Sequence, residues 1–149
     1  QNMKDSPMFI RASESQQNSY LSYETKLFTT LKKCSDAHNT ALSGYSSTPG
    51  DQANSACANT ISLIESINLP AGKVPDSTLT YMKDLKSNFK YIALNLSHFN
   101  YANKQSNGDV ITLLNTNVSD SSSLIEKLRT MLGLPAQGEY SLKNTVKLD

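Results

Sequence analysis

Two cysteines, Cys34 and Cys57, stand on either side of a strong chain break, and this placement constrains the fold more than any other feature. The stretch CSDAHNTALSGYSSTPGDQANSAC between and including them holds Gly44 and then Pro49-Gly50, which punctuate a turn. On both sides of that turn the side chains repeat at three- and four-residue steps, the spacing of one helix face. Upstream the stripe is Phe9, Ala12, Gln16, Tyr20, Tyr23, Leu27, Leu31, Cys34, His38, Leu42 and Tyr45. Downstream it is Ala53, Cys57, Thr60, Ile64 and Ile67, with Ala56 and Leu63 beside it. Cys34 lies ten residues before Gly44 and Cys57 six after Asp51, so an antiparallel hairpin sets them at similar heights. Both fall on inward stripes. Closely packed helices supply the Cα separation of roughly 4.4–6.8 Å that a disulfide needs.

Three other readings compete for the same stretch. Cys34, His38, Cys57 and His98 would form a Cys2His2 metal set if all four converged, but no spacing among them is a zinc pattern. His98 also falls beside its stripe, with Tyr91, Leu94 and Tyr101. Buried free thiols are the second competitor. A redox pair is the third, and there is no C-x-x-C. The stretch reads as a stapled helical hairpin that holds no metal.

Further along, LPAGKVP (69–75) breaks the chain again, and Asp76 or Ser77 caps a third helix. Its stripe is Met82, Leu85, Phe89, Ile92, Leu96 and Phe99. QSNGD (105–109) connects to a fourth, with Val110, Leu114, Asn117, Ser121, Leu124, Leu128 and Met131, ending at GLP (133–135). The second helix is expected to start near Asp51. The first is expected to start near Ser6-Pro7, with the polar patch SESQQNS (13–19) as its kink or break. The whole chain, 1–149, therefore reads as one all-α domain: an antiparallel, up-down-up-down four-helix bundle whose first helix is long or kinked. Segments 1–7 and 136–149 have no periodicity and are expected to be flexible or irregular tails.

Ser, Thr, Asn and Gln supply 53 of the 149 residues, and charged residues only 18%, with a formal net charge of +1. Such a chain has no field to attract nucleic acid or an anionic membrane. No apolar run reaches the length of a membrane span. Starting at Gln1, the chain is expected to have lost a signal or an anchoring N-terminal segment. With an oxidised staple, that places it outside the cytoplasm, secreted or periplasmic.

Motifs for chemistry are missing. A di-iron bundle needs Glu-x-x-His, and Ser35 and Asn95 stand where the glutamates would be. There is no G-x-S-x-G, and AGKVP around Lys73 lacks the phosphate-loop frame. Asp51, Asp76 and Asp109 sit at helix starts, Glu65 and Glu126 on solvated faces. No enzyme activity and no cofactor are expected. Two sequons, at Asn95 and Asn117, could carry glycans in a eukaryotic secretory pathway.

Polar residues within the apolar stripes remain: Gln16, His38, Asn117 and Ser121, with Tyr20 near them. They read either as a core hydrogen-bond network or as the polar end of a ligand cavity. From this follow two expectations of function. The first is an exported, non-catalytic binding module that recognises another protein or surface macromolecule, of inhibitor, immunity or adhesion type. Its surface would combine segment 1–19 with loops 44–50 and 69–75. The alternative is a soluble carrier or sensor domain enclosing a small apolar ligand in the bundle core.

Overall fold

The computed structural model describes residues 11–44, 47–137 and 142–148. It is all-helical there, with four long helices: α1 (Glu14–Ser43), α2 (Ser47–Glu65), α3 (Asp76–Ser97) and α4 (Gly108–Met131). A 3-10 turn, Lys104–Asn107, leads into α4, and a single turn, α5 (Leu142–Thr145), follows it. The expected start of the first helix, at Ser6-Pro7, and its stripe residues Phe9 and Tyr45 lie outside the described residues.

The polar patch 13–19 begins α1 instead of kinking it. The Gln16 backbone N–H donates to Ser13 Oγ at 3.1 Å, and the Ser13 N–H donates to Gln16 Oε1 at 3.0 Å. This is a capping box, which satisfies donors that the helix itself leaves open. From there α1 runs unbroken for 30 residues. Gln16 is thus a capping residue at the surface, not a polar member of the core stripe.

α2 starts four residues earlier than Asp51, which takes Pro49 into its first turn. There a missing N–H costs nothing, because first-turn donors have no helical acceptor. Of its expected inward residues, Ile67 is half-buried and lies past the end of the helix, while Ala53, Cys57, Thr60 and Ile64 are buried. So are all six stripe residues expected for the third helix.

α4 is rotated from its expected register. The buried residues are Leu114, Val118, Ser121, Ile125 and Leu128, continued by Leu132, while Asn117, Leu124 and Met131 are half-buried. These last three each stand one position, or about 100° of helix, from the true core position. The helix closes on Gly133, whose φ of 70° is the left-handed conformation that favours glycine. Leu134 N–H returns to Arg129 O at 2.8 Å and Gly133 N–H to Thr130 O at 3.2 Å, a Schellman ending.

Packing gives one contiguous apolar core, drawing on α1 to α5. α1, α2 and α3 pack on one another, and α4 packs on α3. No Cα of α1 comes within 8 Å of a Cα of α4. The gap is occupied by the end of the chain: α5 packs on both helices, and Leu142 and Val146 are each 1% exposed. Within segment 136–149, expected to be a flexible or irregular tail, residues 138–141 and 149 lie outside the described residues. Its described part contributes core side chains and a helical turn.

The disulfide joins Cys34 of α1 to Cys57 of α2, with their Cα atoms 4.6 Å apart and both residues fully buried. It closes a loop with a sequence separation of 23. In the chain-entropy picture that stabilises the fold by about 3 kcal/mol.

Candidate functional site

The polar residues singled out in the sequence do not gather in one place. Tyr20 and His38 are eighteen residues apart on α1, which is about 27 Å along a helix. Each belongs to a separate buried cluster on the side where α1 faces α4 and the end of the chain.

The first cluster centres on Glu24, which is 5% exposed. Arg129 reaches it from α4 with both faces of its fork: Nε donates to Oε2 at 3.0 Å and Nη2 to Oε1 at 2.5 Å. This bidentate geometry is the strongest form of the pair. Arg129 Nη1 donates to Pro135 O at 3.0 Å, and Gln17 Nε2 donates to Leu132 O at 2.8 Å. The hydrogen bond to Glu24 raises the pKa of Arg129 further. Tyr20 lies buried beside the same carboxylate. Burial first, and the Glu24 charge second, push its phenol far above the ordinary range. Its hydroxyl makes no hydrogen bond of good geometry; nor does that of buried Ser121. Tyr23 is better served: its hydroxyl donates to Met82 O of α3 at 2.7 Å.

The second cluster centres on His38, which is fully buried. Its Nε2 lies 2.6 Å from Lys147 O and its Nδ1 2.6 Å from the Tyr101 hydroxyl. A carbonyl only accepts, so Nε2 carries the proton and Nδ1 accepts from Tyr101. The Phe99 ring meets the imidazole edge-on at 4.9 Å. Burial lowers the pKa of His38, and the bond to the Lys147 carbonyl opposes this in part. Tyr101 itself rests on Gly50: a Cβ there would stand 2.9 Å from Tyr101 Cβ. The first turns of α2, the α3–α4 connection and the chain end are therefore linked through Tyr101 and this histidine.

Of the metal-site alternative little is left. Cys34 and Cys57 are joined to each other, and His98 is exposed just past the end of α3 while His38 is enclosed. Among the described residues no group of His, Cys, Asp and Glu is arranged to hold a metal ion. Asn117 is half-buried outside the core, and Asn95 spends its amide on Tyr91 O at 2.9 Å.

At the surface, a cleft of about 900 Å³ runs between the N-terminal half of α1 and the α2–α3 loop. One wall carries Glu14, Ser15, Asn18, Ser19, Ser22 and Lys26; the other carries Asn68, Leu69, Pro70, Ala71 and Lys73. Small side chains at 15, 19, 22 and 71 leave the groove open, and Tyr23 forms part of its base. Parts of the expected binding surface, 14–19 and 69–73, thus lie together. Loop 44–50 does not join them. Its described residue Gly50 sits at the opposite end of the 19-residue α2, about 28 Å away, beside residues 97–102 in a smaller cleft of about 300 Å³. No sequence signal marked the Glu24–Arg129 pair, because its partners are 105 residues apart.

Compared with protein-family models, with curated proteins and with solved structures, the chain shows no significant match.

Proposed function

We propose that this chain is a non-catalytic, exported helical-bundle module that recognises another macromolecule through the cleft between α1 and the 68–73 loop. The cleft is the observation that carries the reading: a broad, open groove lined by hydroxyls, amides, Glu14, Lys26 and Lys73, with Leu69, Pro70 and Ala71 on the loop wall, suits a partner's mixed polar and apolar surface. In this reading the four helices run up-down-up-down and antiparallel. Supporting it, Cys34 meets Cys57, Asn54 Nδ2 donates to Leu96 O, Ser97 O and Phe99 O, and Glu65 pairs with Lys90. Gln17 with Leu132 and Glu24 with Arg129 extend the same ordering to α4. The non-catalytic part rests on His38, whose two ring nitrogens are both committed to internal partners away from solvent. An oxidising, extracytoplasmic setting is compatible with the disulfide and with the finding that no described helix is long and apolar enough to cross a membrane.

Site-specific photo-cross-linking tests the cleft. A cross-linker placed at Ser22 is expected to capture a partner from the extracellular fraction that one placed at exposed Asn115 does not. Ser22→Arg combined with Ala71→Arg should abolish capture while leaving helix content and melting unchanged. Equal capture from both positions, or capture indifferent to the two arginines, sinks the proposal. The carrier reading draws on the buried, unbonded hydroxyls of Tyr20 and Ser121. Stoichiometric uptake of an apolar fluorescent probe by the native protein would favour it.

A further inference from the structure

We propose that the C-terminal segment 142–148 is a detachable strap, docked in the groove between α1 and α4 and released when His38 is protonated. The groove exists because α1 and α4 stand apart, and the strap fills it with Leu142 and Val146. Its backbone is gripped by two consecutive residues of α1. His38 Nε2–H donates to Lys147 O at 2.6 Å, Asn39 Nδ2 donates to Thr145 O at 3.3 Å, and the Lys147 N–H donates to Asn39 Oδ1 at 3.1 Å. None of these bonds belongs to the backbone ladders of α1 to α4. Undocking therefore leaves those helices with their own hydrogen bonds.

His38 is the member of this grip that changes with pH. Its Nδ1 accepts the Tyr101 hydroxyl. A proton added at Nδ1 would face that O–H directly, so the hydroxyl must turn, and a full charge appears in a dry site. Among the described residues no carboxylate bonds either ring nitrogen to compensate it. Tyr101, from the α3–α4 connection, is held neutral because burial raises its pKa. Lys147 offers the ring only its carbonyl, and Lys104 of the 3-10 turn donates to Leu42 O, one turn along. On α1, Asp36 is exposed and paired with Lys32. Asp51 of α2 and Asp109 of α4 are exposed and bond neither ring nitrogen. Asp149 lies outside the described residues. A charged imidazole is relieved by letting the strap go and water in.

The sign follows from proton linkage. Docked, the imidazole is held below its ordinary value of 6.5 by burial; undocked and hydrated, it returns towards that value. The undocked state binds the proton first. Docking is thus unaffected above pH 6.5 and weakens below it, by about tenfold per pH unit until the docked value is reached.

Hydrogen exchange on the full chain reads this directly, corrected for intrinsic rates between pH 7.5 and 4.5. The amides of Val146 and Lys147 should lose protection progressively below pH 6.5, by up to about tenfold per pH unit, while those of α3 keep theirs. The midpoint should follow the His38 imidazole resonance. His38→Gln keeps a donor and an acceptor but cannot be charged, so its strap should stay protected at low pH. Asn39→Ala should loosen the strap at every pH and leave the pH slope in place. Asp149→Asn should change neither. Strap protection independent of pH in the native chain would overturn the proposal. So would strap and α3 amides losing protection together, or a pH response whose midpoint departs from the His38 titration.

Discussion

Glu24 and Arg129 show at the residue scale how a buried polar group constrains its surroundings. Taking Glu24 to Gln leaves the Arg129 guanidinium enclosed without its counter-charge, and should cost about 3 kcal/mol in denaturant unfolding. Replacing both, Glu24→Leu with Arg129→Met, should cost much less, because no charge is then stranded. A double-mutant cycle measures the difference. Gly50 is constrained by space. Its added Cβ would meet Tyr101 Cβ at 2.9 Å, and neither atom is the far end of a flexible side chain. Gly50→Ala should therefore destabilise by about 1–3 kcal/mol and shift the His38 imidazole resonances, since Tyr101 holds that ring. An unchanged His38 spectrum would contradict this coupling.

Ends and faces matter at the scale of the element. The S-x-x-Q sequence at 13–16 is a capping signature carried by the residue types and their spacing alone, and it overrides the reading of 13–19 as a break. Gly133 works at the other end of α4, where φ is 70°. Gly133→Ala should cost about 1 kcal/mol in thermal or chemical unfolding, from strain in the left-handed region alone. The faces of α2 and α3 are legible in the spacing of their apolar residues. That of α4 is less so: Val118 and Ile125 compete with Leu124 and Met131 for the inward position, and hydropathy alone does not separate them. What separates them is packing against α3. Asn117 is misplaced with the rest of that stripe, while Ser121 is inward in either register.

Two connections close the fold at the scale of the whole molecule. One is the disulfide, whose loss in Cys34→Ser/Cys57→Ser should lower stability by about 3 kcal/mol and the melting temperature by about 10 °C, with helix content retained. The other is the strap across the α1–α4 gap. Deleting residues 142–149 removes two buried apolar side chains, each contributing about 2 kcal/mol, and bares the groove beneath them. The shortened chain should melt earlier and gain binding of an apolar dye, with little change in helical signal. A truncated protein as stable as the full chain would show that the gap closes without the strap.

The sequence by itself determined what depends on short range: four amphipathic helices, the connections between them, and the pairing of two cysteines set at equal heights around a turn. Side-chain periodicity and turn chemistry are properties of neighbouring residues, and they are written in neighbouring letters. Only the tertiary structure decided the rest. That α1 and α4 stand apart, that the chain end fills the space between them, and that His38 and Glu24 find partners more than a hundred residues away are outcomes of packing. Leu142, Val146 and Leu148 show no period long enough to read, because their burial depends on a groove made by two distant helices, not on an amphipathic face of their own.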